Sequence, residues 1–172
     1  MRNYKSSPAA SLTLLLLAIC AFTFTGCSQS LTGAATEKAI SEPEVLDLLN
    51  KIEAAAKKKD ANAVISNISE NGQIRATVTA SGQTQTLTLS RGQYRSMVQQ
   101  SFEIGSNYVY NRQNTQVKIS ADGKTAIATD EVTESMTVNG RAISTVASEV
   151  ATIGRENGNL VIQYLEVVGK QN

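Results

Sequence analysis

The chain has no histidine and no tryptophan in its 172 residues, and only two cysteines and two prolines. Without histidine there is no Ser/His/Asp triad, no Cys/His nucleophile pair and no zinc site of histidine and cysteine. No Gly-rich phosphate loop or dinucleotide fingerprint is present either, so no cofactor and no metal are expected. Excess charge of one sign is also missing, with 16 basic against 15 acidic residues. A nucleic-acid partner calls for a clear positive surplus, and none is expected.

A membrane-spanning run is another absence. Leu12 to Phe24 is almost continuously apolar, but a spanning helix needs about 20 such residues. The preceding residues 1–11 carry Arg2 and Lys5 and no acid, the pattern of a secretory signal with a basic start and an apolar centre. Its end, Phe24-Thr25-Gly26-Cys27, resembles the lipobox of bacterial lipoproteins, with Phe24 where the family usually has Leu. The resemblance implies that residues 1–26 are removed and that Cys27 receives a diacylglycerol thioether and becomes the new N-terminus. One acyl chain binds a membrane marginally, at roughly 0.8 kcal/mol per buried methylene, whereas two or three hold stably. Cys20 leaves with the signal, so the mature chain forms no internal disulfide and rests on packing. Loss of Arg2 and Lys5 leaves fourteen basic residues against fifteen acidic ones.

Residues 27–41 are read as the lipidated cysteine and a flexible tether. Ser28 to Ser41 is small, polar and without apolar period, and at ~3.3 Å per residue it reaches about 45 Å. Ser28, rather than Asp, follows Cys27. By the same resemblance this implies an outer-membrane lipoprotein facing the periplasm.

Residues 42–170 are read as one domain. Pro43 suits a first turn, and Val45, Leu49, Ile52 and Ala56 share a helix face. Lys57, Lys58 and Lys59 close that helix in keeping with its dipole. Asp60 is expected to cap a second helix through Ile68. Ile74, Ala76, Val78 and Ala80 alternate as a strand, Ser81-Gly82 turns, and Thr84 to Leu89 returns. Ser90 and Gln93 have capping-box spacing for a third helix, which carries Tyr94, Met97, Val98, Ser101 and Phe102 on one side and ends near Gly105. Asp122-Gly123, Asn139-Gly140 and Asn157-Gly158 then punctuate a four-strand meander with two-residue turns.

This order of helix, helix, hairpin, helix and meander resembles the NTF2-like superfamily, the cystatin-like cone. "DANAVISNIS" stands as the second helix and "GNLVIQYLEV" as the final strand. The resemblance implies an α+β fold with three helices on a curved, mostly antiparallel sheet of six strands. Steroid isomerases, dehydratases, polyketide cyclases, transport adaptors and secretion subunits share it, so fold does not choose function. The histidine-assisted dehydratase chemistry of some members is excluded here.

Turn positions fix strand pairing by addition. Ile119, Ala126, Ile153 and Ile162 form one row across the meander, and Val117, Ala128, Ala151 and Tyr164 the next. The following row reads Thr115, Asp130, Glu149 and Glu166, and the one after it Gln113, Val132, Ala147 and Val168. Three carboxylates inside an apolar face are costly unless a cation answers them, one is protonated, or a bulge breaks the register. Arg95 is one candidate cation. A bulge before Glu166 would instead turn Leu165 and Val167 inward and Glu166 out.

Candidate ligand-binding residues are therefore Asp130, Glu149, Glu166 and Tyr164, with Cys27 for lipidation and no residue assigned a catalytic role. The other sheet face mixes Thr129, Thr133, Ser135, Ser144, Ser148 and Thr152 with Ile127, Val146, Val150, Val161 and Leu165, and it admits a homodimer through the sheet. The expected function is a non-enzymatic, lipid-anchored domain that binds a small ligand in its cone or an envelope protein on its sheet. The alternative is a carboxylate-driven isomerase or related lyase, as the fold resemblance allows, with Asp130 or Glu149 as base and Tyr164 as oxyanion donor.

Overall fold

The computed structural model describes residues 38–171. The signal peptide, Cys27 and most of the tether lie outside the described residues. The elements run α1 (Glu42–Lys57), α2 (Ala61–Ile65), β1 (Ile68–Ala80), β2 (Gln83–Ser90), α3 (Arg91–Ile104), β3 (Ser106–Ile119), β4 (Thr125–Val138), β5 (Arg141–Glu156) and β6 (Asn159–Gln171). One six-stranded sheet has the order β2-β1-β6-β5-β4-β3. Only the β1–β6 pairing is parallel. Among the described residues no helix is long and apolar enough to cross a membrane.

Helix α1 begins where the Glu44 carboxylate reaches back to the Ser41 backbone N–H at 3.1 Å and accepts the Ser41 hydroxyl at 2.8 Å. Lys38 and Arg155 also donate to Glu44, at 2.9 and 3.1 Å, which ties the helix entry to β5. These partners hold the Glu44 carboxyl down at about 2. The apolar stripe of α1 buries Val45, Leu48, Leu49, Ala55 and Ala56 against the concave side of the sheet. There Ala126, Ala128 and Ala151 let the helix approach closely, and Ile74 and Ile153 are fully buried.

Helix α2 is shorter than the expected span through Ile68. Asp60 caps it by accepting from Ala63 N–H at 2.9 Å, but the Ser66 hydroxyl and the Asn67 amide both turn back to the Ala63 carbonyl. Such side chains offer the backbone an alternative to further helix. The Asn67 carbonyl then accepts from Ile162 N–H at 2.9 Å, and Ile68 enters β1. Helix α3 starts on the capping box formed by Ser90 and Gln93.

Ser81-Gly82, Asn139-Gly140 and Asn157-Gly158 have positive φ at both positions, as a two-residue turn of matching twist requires. The Asp122-Gly123 connection is wider. Ser120 N–H bonds Thr125 C=O at 2.9 Å, so the loop covers residues 121–124 about the same centre, and the register beyond it is unchanged.

Among the described residues of the meander three register shifts break the simple addition, one between Ser106 and Val109 at the start of β3 and two further along. In β6, Ile162 pairs with Ile153 but Tyr164 pairs with Thr152, so Gln163 is the extra residue. Gly154 makes room for it: a Cβ there would lie 2.5 Å from the Gln163 side chain. In β3, Gln116 pairs with Thr129 but Gln113 pairs with Glu131. Asn114, with φ of 58°, supplies the left-handed kink, and its amide donates to Glu131 at 2.7 Å. Each bulge reverses which side chains face inward, as a period of two demands.

Candidate functional site

Because of the β6 bulge, Leu165 is buried in the core and Tyr164 stands beside Thr152 on the outer face. Glu166 is outside too, paired with Arg75 at 3.4 Å. The structure thus removes Tyr164 and Glu166 from the concave face and moves Leu165 off the outer one. Asp130 and Glu149 remain inside, directly opposite each other on β4 and β5. Arg95 does not meet them: it is exposed and bonds Asn62.

The β3 bulge brings in what replaces the lost residues. With register shifted at Asn114, Arg112 pairs with Val132 and Tyr110 with Glu134, so Tyr108, Tyr110 and Arg112 point inward and Gln113 does not. Asn114 and Thr115 together stand against Asp130. The resulting cavity encloses about 140 Å³. Asp130, Glu134, Glu149, Arg112, Tyr94, Tyr108 and Tyr110 line it together with Phe102, Met97 and Met136. Phe102 and Tyr108 meet edge to face with ring centroids 5.1 Å apart.

Arg112 is the cation nearest the acids, and its side chain is only 7 % exposed. It donates to Asn50 at 2.7 Å and Thr115 at 2.8 Å, and lies 3.3 Å from Glu53 of α1. Most of its fork is therefore directed at α1 and its own strand. Asp130 is 8 % exposed, and its Oδ1 has no hydrogen-bond partner among the described residues. Tyr108 donates its hydroxyl to Glu134.

Burial pushes the Asp130 carboxyl up to about 6, against the opposing pull of Arg112. Glu149 goes further, to about 8, through burial and then the charges of Asp130 and Glu134. Glu134 is raised by burial, tempered by the Tyr108 hydroxyl. Burial, followed by the neighbouring carboxylates, raises Tyr94, Tyr108 and Tyr110 well above the usual phenol range, so all three stay protonated as donors. Three acids against one committed arginine make the cavity an anionic, aromatic-walled chamber. Among the described residues no group of three acids converges closely enough to hold a metal ion.

Tyr108, Tyr110, Arg112 and Glu134 were not among the expected site residues. The signal that could have found them is a phase change in "YVYNRQNTQVKI": aromatic and basic residues alternate at even positions up to 112, and Val117 and Ile119 at odd ones afterwards. A one-residue switch of alternation marks a bulge.

No family model matches the chain, and no curated protein does. Solved structures do. An NTF2-like protein with a cystatin-like fold from Novosphingobium aromaticivorans superposes with a TM-score of 0.54 at 17 % identity, covering 73 % of this chain and 79 % of that one. An NTF2-like protein of unknown function from Pseudomonas putida gives 0.56 at 12 %, covering 74 % and 84 %. A hexachlorocyclohexane dehydrochlorinase, LinA type 2, gives 0.57 at 11 %, covering 74 % and 83 %. The chain has the NTF2-like α+β fold, three helices on a mixed, mostly antiparallel six-stranded sheet, and the structures that share it include both enzymes and proteins of unknown function.

Proposed function

We propose that this chain is a lipid-anchored domain of the bacterial envelope, carried on the outer membrane and facing the periplasm, that binds a small molecule in its cone without transforming it. One observation carries the binding reading: a buried carboxylate oxygen of Asp130, in the lining of the cavity, has no hydrogen-bond partner among the described residues. A buried acceptor left unpaired costs about 1–3 kcal/mol, more when charged. Native folds retain such a group where something answers it. An engineered apolar cavity of about 150 Å³ holds benzene, so a molecule of that size fits here.

A second reading is favoured by the tyrosines. A carboxylate whose pKa lies near 6 beside phenols that remain protonated is the pairing that proton abstraction next to a carbonyl uses. Asp130 would be base, and the donor would be Tyr94 or Tyr110 rather than Tyr164. The small chamber limits substrates to compact ketones. Conversion of a small β,γ-unsaturated ketone, lost in Asp130→Asn, would replace the non-enzymatic reading with this one.

The binding reading is tested on the full chain extracted from its native membrane in detergent. Denaturation should release a small molecule, and Ser101→Leu, which fills the cavity from α3, should release none. Equal release from both would place the ligand outside the cone. For the anchor, mass spectrometry of the mature N-terminus should show a diacylated Cys27, and Cys27→Ser should leave the membrane fraction. An unmodified Cys27 would end the lipoprotein assignment.

A further inference from the structure

We infer that the molecule this cone takes is a small protonated amine, a primary or secondary alkylammonium whose N–H groups satisfy Asp130 and Glu149 while its hydrocarbon part lies against Tyr94, Tyr110 and Phe102. The inference rests on the small-ligand reading above and deepens it by naming the ligand's charge and donor chemistry.

Three observations converge on it. The unpaired oxygen of Asp130 is an acceptor, 8 % exposed, on the cavity wall. What answers it must donate. The charge balance then selects a cation. From β4 come Asp130 and Glu134, from β5 Glu149, from α1 Glu53 behind the wall, and from β3 the single positive group, Arg112. Arg112 bonds Asn50 and Thr115 and pairs with Glu53, and its Nε has no partner among the described residues. This one guanidinium stands against three inward acids, which outnumber their counter-charge. Tyr94, Tyr108 and Tyr110, the titratable groups that α3 and β3 add to the lining besides Arg112, are neutral donors and add no charge.

No three acids of the described residues lie close enough to coordinate a metal ion. An ammonium needs only one or two carboxylates as acceptors, and aromatic faces attract such a cation. A quaternary ammonium has no N–H to offer Asp130, and a molecule much larger than benzene exceeds about 140 Å³.

Binding of a cation also draws a proton off the site. Glu149, pushed up to about 8, is mostly protonated at neutral pH, and an ammonium beside it favours the carboxylate. Proton release should therefore accompany binding, and affinity should rise with pH toward and through about 8.

The test is calorimetry on the full chain in detergent micelles with three probes of one shape: cyclohexylammonium, cyclohexanol and cyclohexanecarboxylate. Cyclohexylammonium should bind at least tenfold more tightly than cyclohexanol, with heats that vary with the buffer's ionisation enthalpy as a released proton requires, and the carboxylate should not bind. Asp130→Asn should abolish the preference for the ammonium, while an unchanged circular dichroism spectrum and a cooperative thermal transition show that the variant is folded. Equal or tighter binding of cyclohexanol by the wild type would overturn the cation inference and leave the small-ligand reading standing. Binding of none of the three would overturn both. An aminolipid headgroup presents the same ammonium, so the titration is repeated in vesicles of phosphatidylethanolamine and of phosphatidylcholine. Equal affinity in the two supports a free amine, and weakening confined to phosphatidylethanolamine overturns it in favour of the lipid.

Discussion

Asp130 and Glu149 face each other across β4 and β5, yet their carboxyl groups are displaced unequally, to about 6 and about 8. Burial leads at both, and the neighbouring charges then act in opposite senses. Arg112 is the main counterweight to burial at Asp130, whereas at Glu149 it ranks behind the repulsion of Asp130 and Glu134. Near neutral pH the pair holds about one proton between them and titrates as a unit.

The first prediction follows from that proton. Glu149 carries a raised pKa in the fold, so between its unfolded value near 4.5 and about 8 the native state holds a proton that the unfolded chain has lost. Stability falls as pH rises across that window. Glu149→Gln removes the loss, so the variant should gain on the wild type steadily from about pH 4.5 to 8, by on the order of a few kcal/mol, and hold the gain above. Denaturant unfolding of both proteins across this range checks it. Parallel curves would mean that Glu149 is solvated.

A second prediction concerns the arginine. Arg112→Met keeps the aliphatic stem but leaves Asp130 buried without its nearest cation, whereas Glu53 keeps Lys57 at 2.7 Å. Removing one partner of a buried pair costs about 3–5 kcal/mol. The double variant Arg112→Met with Asp130→Asn should recover part of that loss, because the orphaned charge goes too. Equal destabilisation by the single and double variants would show that Arg112 acts through packing alone.

How much of this was readable beforehand depends on parity. The capping boxes, Asp60, and the Asn-Gly turns are local devices, each written in a few adjacent residues, and all stand where local chemistry puts them. Asp130 opposite Glu149 rests on one such turn and is found so. The second helix was overextended because Ser66 and Asn67 end it through side-chain bonds that compete with helix, while apolar spacing alone carried it to Ile68. Tyr164 and Glu166 stand inward only if the register runs uninterrupted through Gln163, and the bulge before Glu166 that the costly acidic row calls for as an alternative is the arrangement found. The bulge there needs Gly154 on the neighbouring strand, a tertiary fit that no window on β6 contains. The same blindness at Asn114 hid Tyr110 and Arg112.

A third prediction sits at the entry to α1. Glu44 is held at about 2 by Lys38, Ser41 and Arg155. A depressed carboxyl stabilises the fold above its unfolded pKa and loses that contribution as pH falls toward the folded value. Glu44→Gln should therefore lower stability at neutral pH and converge with the wild type near pH 2. A constant difference between the two down to that pH would assign the effect of Glu44 to shape rather than charge.

The last prediction joins the β3 bulge to the site. Asn114 adopts φ of 58°, a left-handed conformation that asparagine and glycine tolerate and that is a genuine outlier for a β-branched residue. Asn114→Gly should therefore change stability by less than about 1 kcal/mol, losing only the bond to Glu131. Asn114→Val meets the full conformational penalty, roughly 1–3 kcal/mol, and can escape it only by giving up the bulge. Giving it up while the pairing at Val117 and Ile119 holds would swing Tyr108, Tyr110 and Arg112 to the outer face. Tyrosine ionisation reports which happens. In the wild type Tyr94, Tyr108 and Tyr110 are raised by burial and should resist ionisation near pH 10 until the protein unfolds. If Asn114→Val loses the bulge, Tyr108 and Tyr110 should titrate before unfolding while Tyr94, on α3, stays silent. If it keeps the bulge under strain, all three stay silent and the variant is merely less stable. Either result leaves the bulge as the device that aims β3 at the cavity. A valine variant as stable as wild type, with the three tyrosines still silent, would show that the kink at Asn114 does not set the parity of the strand.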